Sequence, residues 1–243
     1  RLVGSEMCIR DSYLQEIMSY IEQEFDEKYE NYNEIMNLEI GLRGIIEWKD
    51  MKCTQYNFKK SPELYASIID IAFLHEGEEK SDSNSQKQKI AETFFNLYYN
   101  AVFCPCENNG NVDFEDLKKW VDGFSQILSK QKQLKLIGGI LGKLFAYSPI
   151  GADGYYPHES VRKIIEELDD ESLARGYVIA ECNKRGVYSP DAGKTEKEMA
   201  LKYKETAEAL EINYPKTAEI YYKLYSNYIQ ESEAERRNAE DEW

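Results

Sequence analysis

Between Gly154 and Gln230 the chain repeats one pattern: a helix start, an apolar stripe, a stop. Pro157 and Pro215 stand where proline opens a helix, since its ring presets φ and its missing amide is one the first turn leaves unbonded. Thr195-Glu196-Lys197-Glu198 reads as a capping box, in which Thr195 and Glu198 each satisfy the other's backbone amide. Gly186 closes a helix over 171–185 by taking a left-handed conformation, with Val187 as the closing apolar contact and Pro190 barring continuation. Between these marks lie Val161, Ile164, Ile165 and Leu168, then Met199, Tyr203, Thr206 and Leu210, then Ala218, Tyr221, Tyr225 and Tyr228. Spacings of three and four put each set on one helical face. Helices with one apolar face must bury it against other helices.

The same period runs upstream. Leu14, Ile17 and Ile21 begin a first pattern, and Ile35, Leu38, Leu42 and Ile45 a second. Ser61-Pro62 predicts an N-cap followed by proline at the first helical position, ahead of Tyr65, Ile68, Ile69, Ala72 and Phe73. The polar tract Glu76 to Lys89 reads as a loop, and a helix follows through Ile90, Phe94, Leu97, Tyr98 and Ala101, stopped by Pro105. Asn108-Asn109-Gly110 predicts a turn, and Asp113 a cap for a helix whose buried face is Leu117, Trp120, Val121, Phe124 and Leu128. Leu134, Ile137, Leu141, Leu144 and Phe145 carry another helix to Ser148-Pro149. No segment alternates as a strand does, so the expected class is all-α, an irregular multi-helix bundle or solenoid-like array of about 8–10 helices with no sheet. Residues 13–150 are expected to form an N-terminal helical part and 151–243 a C-terminal one, packed as one continuous domain.

Charge narrows the function classes. The 243 residues carry 45 Asp and Glu against 30 Lys and Arg, a net charge of −15. That field repels phosphate backbones and anionic membranes, so neither nucleic acid nor membrane is an expected partner. No apolar run approaches the ~20 residues that span a bilayer. The five cysteines, Cys8, Cys53, Cys104, Cys106 and Cys182, are odd in number and irregularly spaced. That spacing fits a reducing cytoplasm rather than a disulfide framework.

Four local patterns occur together: Asp153-Gly154-Tyr155-Tyr156-Pro157 before Val161-Arg162, Asn183-Lys184-Arg185-Gly186-Val187, Glu198-Met199-Ala200-Leu201-Lys202-Tyr203, and Tyr214-Pro215-Lys216-Thr217-Ala218. With Asp113 to Trp120, they make residues 40–240 resemble a helical C-terminal region of large, uncharacterised bacterial multidomain proteins, some of them similar to parts of conflict or antiphage-defence systems. The resemblance implies a helical fold and no catalytic residues. Residues 1–12 resemble translated sequencing-adapter read-through and are set apart from the fold, the rest being expected to belong to a longer protein.

Several residue groups invite a chemical reading. Asp153, His158 and Glu159 are the enzyme candidates, His158 as a general base oriented by a carboxylate, although no motif places a Ser or Cys nucleophile beside them. Asn183 and Arg185 would converge on a phosphate or carboxylate, but the same residues serve a helix C-terminus, where Lys184 and Arg185 complement the dipole. Cys104-Pro105-Cys106 lacks a second ligand pair for zinc. The loop around Gly110 resembles a calcium loop whose first ligand position is occupied by Pro105. Gly138, Gly139 and Gly142 lack P-loop spacing and are better read as letting two helices approach closely. Among the nineteen tyrosines, Tyr98-Tyr99, Tyr155-Tyr156 and Tyr221-Tyr222 suit stacking on ligands but are read as helix packing.

These readings lead to no assigned catalytic, ligand-binding or metal residue and no cofactor. The expected role is a non-catalytic α-helical interaction or scaffold module of a larger cytoplasmic bacterial protein, bound to a protein partner or to neighbouring domains of its own chain. The alternative is an enzyme acting on a small substrate through the Asp153/His158 region.

Overall fold

The computed structural model describes residue 16 and residues 32–42, 45–77, 86–186 and 191–241. The protein is all-α: the described residues comprise ten α-helices, two 3-10 turns and one two-residue-per-strand hairpin. The chain divides into two compact units, one up to Val102 and one from Phe103. The expected boundary at 150/151 falls within the second unit.

In the first unit, α1 (Tyr32–Gly41) is followed by a 3-10 turn, α2 (Lys52–Lys60), α3 (Pro62–Ala72) and α4 (Gln86–Asn100). Ser61 caps α3 as expected, its hydroxyl accepting from the Leu64 amide at 3.3 Å, with Pro62 in the first turn. Tyr65, Ile68 and Ile69 of the predicted stripe are buried. The stripe expected on α1 is rotated. Met36 and Glu39 face inward, while Leu38 is 44 % exposed. The reason is chemical: Glu39 accepts from the Cys53 and Thr54 amides at 3.0 and 2.6 Å and so caps α2 from another helix. A buried carboxylate is tolerated there because it meets unbonded amides and the positive end of a helix dipole. The predicted loop over 76–89 ends early, since α4 already begins at Gln86. The pattern at Leu14, Ile17 and Ile21 lies outside the described residues, as do Val187 and Pro190.

The second unit opens with the hairpin β1 (Glu107–Asn108) and β2 (Asn111–Val112), paired antiparallel. Asn109 and Gly110 have φ of 50° and 79°, the two positive values that a tight hairpin turn requires. The turn was legible; the pairing was not, because two residues per strand are too few to alternate. Asp113 then caps α5 (Phe114–Lys130), accepting from Asp116 at 3.0 Å, and all five predicted core residues of α5 are buried.

The rest of the unit comprises α6 (Ile137–Ala146), α7 (Glu159–Leu168), α8 (Glu171–Asn183), α9 (Lys194–Leu210) and α10 (Pro215–Asp241). α6 packs on α8, α9 packs on α10, and α10 also touches α7 and α8. The α6–α8 contact is backbone against backbone, as the glycines of α6 suggested. A Cβ at Gly142 would stand 2.1 Å from the Leu173 carbonyl oxygen, and one at Gly176 would stand 2.3 Å from that of Gly139. Glu166 of α7 caps α10, accepting from Lys216 and Thr217 amides at 3.0 and 2.8 Å. The capping box at Thr195 and Glu198 does not form. Asp191 caps α9 instead, accepting from the Lys194 amide at 2.9 Å and the Thr195 hydroxyl at 2.6 Å. Gly193, at φ 77°, bends the chain so that Asp191 reaches that helix end. Tyr221, Leu224 and Tyr228 of α10 are at most 3 % exposed, so this part of the terminal helix's apolar face is covered within the unit.

The two glycines of α6 give opposite expectations. Gly142→Ala should lower stability by about 1–3 kcal/mol, because the new methyl meets backbone that cannot rotate away. Gly139→Ala meets nothing within 4 Å and should gain up to about 1 kcal/mol from helix propensity. Urea denaturation of both variants checks the pair, and equal effects would refute the close approach.

Candidate functional site

Three places concern function: the loop before α7, the end of α8, and a pocket framed by α6, α8, α9 and α10.

The first place gathers Asp153, His158 and Glu159 around a residue the sequence reading passed over. Arg162 stands outside the predicted inward stripe of α7, yet it is 0 % exposed. Its Nη1 and Nη2 donate to the two carboxylate oxygens of Asp153, each at 2.6 Å, its Nε to the Pro157 carbonyl at 2.6 Å, and its Nη2 also to the Tyr155 carbonyl at 2.9 Å. Its guanidinium lies 5.1 Å from the Tyr214 ring centre. A Cβ at Gly151 would come within 2.6 Å of Nη2, so that glycine leaves room for the side chain. A fully buried guanidinium is held only where its donors are met, and this loop meets them.

The consequence for the enzyme candidates is specific. Asp153 is engaged by Arg162, which holds its carboxyl below the ordinary 3.8. His158 is the N-cap of α7 rather than a first-turn residue, because the helix starts at Glu159, two residues beyond Pro157. Its Nδ1 accepts from the Ser160 amide at 3.2 Å, and its Nε2 stands 3.5 Å from Glu159. Glu159 also accepts from the Asp153 amide at 3.3 Å. Burial raises its carboxyl pKa, but backbone amides and the His158 charge outweigh that and hold it below the usual value. The nearby Ser160 hydroxyl donates to the Val112 carbonyl at 2.7 Å, and Ser148 donates to Pro149 at 3.0 Å. The Ser148 oxygen also accepts from the His158 backbone amide at 2.9 Å, so these contacts fasten a loop, and neither hydroxyl bonds the His158 ring.

At the second place Gly186 takes φ 68°, as the helix-end reading expected. Asn183 is exposed, while Arg185 turns inward onto Glu196 and lies 3.4 Å from Glu231. Arg185 therefore meets carboxylates from α9 and α10, and does not converge with Asn183 on an anion. Among the described residues, Asp191, Glu196 and Glu235 place their carboxylates together here, close enough to hold a cation.

The third place is a pocket of about 510 Å3. That volume lies within the range of small-ligand sites. Tyr147 and Ser148 enter from the end of α6, Tyr177, Glu181 and Lys184 from one side of α8, Lys202, Tyr203 and Thr206 from α9, and Tyr221 from α10, with Tyr156 from the loop. Tyr177 follows Gly176, so the close contact with α6 sets its position. The Tyr177 and Tyr221 hydroxyls are 2.9 Å apart, and Tyr203 donates to Glu181 at 3.3 Å. Lys184 donates to Glu181 at 2.5 Å and to the Ala146 carbonyl, the negative end of α6. Burial raises the Tyr177, Tyr203 and Tyr221 phenols well above their usual range. They stay protonated at neutral pH, so the walls offer aromatic faces and hydroxyl groups rather than a nucleophile. The packing reading holds for Tyr177, Tyr221 and Tyr228, all buried, while half-buried Tyr203 and half-exposed Tyr156 open to the pocket. The sequence carried one overlooked signal: Tyr177, Glu181 and Lys184 recur at helical spacing directly after Gly176.

Another residue outside the sequence reading is Lys143 on α6, whose amine burial pushes down to about 7. Cys104 is buried and Cys106 half-buried, and burial pushes the Cys106 thiol up to about 11. No helix among the described residues is long and apolar enough to cross a membrane. Compared with family models, curated proteins and solved structures, the chain matches none.

Removing the Asp153 charge tests the loop. Asp153→Asn should cost about 1–3 kcal/mol at pH 7, less than for a fully buried pair because Asp153 is 43 % exposed and screened by water. Its folded-state pKa lies below the unfolded value, so the charge stabilises above pH 3.8 and the benefit fades as pH falls through the lower folded value. Denaturation of both proteins from pH 7 to pH 2 should show their stabilities converging. A constant gap would overturn the ion-pair account.

Proposed function

We propose that the chain is a non-catalytic helical interaction module, part of a larger cytoplasmic bacterial protein, and that the tyrosine-lined pocket of the second unit receives a side chain from a protein partner. The supporting observation is a division of labour. The charged groups that would serve an enzyme at Asp153, His158 and Glu159 fasten a loop, whereas the pocket combines aromatic walls, protonated hydroxyls and a Glu181–Lys184 pair at helical termini. Such a surface suits an aromatic or aliphatic anchor flanked by polar groups, the usual composition of a binding hot spot. The net charge of −15 would steer a basic partner segment towards it and keep nucleic acids away. The enzyme reading through Asp153 and His158 gains nothing comparable.

Filling the pocket tests this. Thr206 lines it, and its hydroxyl bonds only the Lys202 carbonyl of its own helix, so Thr206→Trp should occupy the space without breaking a tertiary hydrogen bond. Random peptides selected on the wild-type chain should share a hydrophobic anchor beside basic residues. Their affinity should fall at least about tenfold on Thr206→Trp, the loss of one anchored side chain. Selected peptides that bind both proteins equally, at unchanged melting temperature, would reject the pocket as the docking site.

A further inference from the structure

We infer that Asp191, Glu196 and Glu235 form a binding site for one hard divalent cation that ties the start of α9 to α10. Each residue offers a carboxylate oxygen, and these atoms lie within 4.8 Å of one another. Two oxygens on opposite sides of a calcium ion are about 4.6–5.2 Å apart, so one ion can reach all three. Oxygen-only donors of this charge select calcium, magnesium or manganese over zinc or copper.

Proximity of acids alone would mean little; the second observation is Glu196. It is 0 % exposed, its Oε1 is bound to Arg185, and its Oε2 is buried with no hydrogen-bond partner. An ionised oxygen taken from water and left unmet is costly, and a metal ion is one of the few groups that satisfies it. Arg185 does not neutralise the cluster by itself, because it is divided between Glu196 and Glu231, the latter at 3.4 Å. Asp191 already has its geometry set by the Lys194 and Thr195 amides and the Thr195 hydroxyl, so its carboxylate is held in place for a ligand. The backbone around it is fixed too. Gly193 sits against α10, where a Cβ would be 2.2 Å from the Ser232 carbonyl oxygen, and Ser232 donates to the Gly193 carbonyl at 2.6 Å. One turn of α10 separates Ser232 from Glu235. No sequence spacing marked the site, since its ligands are 5 and 39 residues apart and lie outside any known metal loop.

The test uses the full chain at about 0.1 M KCl, where diffuse attraction of cations to an acidic protein is screened. Calcium and magnesium are titrated separately by calorimetry, and terbium is used as a luminescent calcium substitute. Tyr228, whose ring centre is 5.8 Å from the Arg185 guanidinium, is placed to sensitise terbium emission. One equivalent of calcium or magnesium should bind, compete with terbium, and raise Tm by about 5–10 °C at a hundredfold excess over Kd. Glu235→Gln and Asp191→Asn should each weaken binding at least about tenfold by removing a charged ligand. Without metal, Glu235→Gln should melt no lower than the wild type, because it relieves repulsion between carboxylates, and this separates a lost ligand from a damaged fold. Absence of saturable binding, or equal binding by Glu235→Gln, overturns the site.

Discussion

The contact on which the second unit depends is the bare-backbone approach of α6 and α8 at Gly139, Gly142 and Gly176. Helix backbones this close exclude any Cβ from the interface, so the pair has essentially one register. That register brings Tyr177, Glu181 and Lys184 past the end of α6, where the Ala146 carbonyl receives the Lys184 ammonium. The pocket wall is thus a consequence of two missing side chains, at Gly142 and Gly176. Glycine weakens an isolated helix, and here the weakening is offset by the packing it permits.

A second theme is how helix ends are satisfied. Glu39 caps α2, Glu166 caps α10 and Asp191 caps α9, the first two from distant helices. Each replaces water at an unbonded amide with a carboxylate delivered by tertiary structure, and so makes the helix start conditional on the fold around it. Arg162 does the complementary work for carbonyls, gathering Pro157 and Tyr155 together with Asp153. Acidic residues that looked like a diffuse surface charge are in part internal fasteners. This bears on function, since a group bonded on every side is a poor acid, base or nucleophile.

Much of the architecture was legible because it is local. The Ser61 and Asp113 caps, the five core residues of α5, the Asn109-Gly110 turn and the left-handed Gly186 each follow from residues within one or two turns of chain. The glycines of α6 were also legible as a packing surface, because close approach is the main reason to keep such residues inside a helix. The errors arose where a distant group intervened. Glu39 rotated α1 because it serves α2, and Asp191 displaced the Thr195 capping box because Gly193 bends the chain against Ser232.

The sequence by itself determined that this protein is helical, where its better-marked helices begin and end, and that it carries a net charge of −15. Periodicity, capping and net charge are properties of neighbours in the chain or of simple sums. Only the tertiary structure decided what the polar residues do: that Arg162 is buried, that Arg185 belongs to Glu196, and that tyrosines from three helices and two loops share one pocket. Those roles depend on which side chains meet across helices. That pairing follows from packing geometry, which the spacing of residues along one helix does not encode.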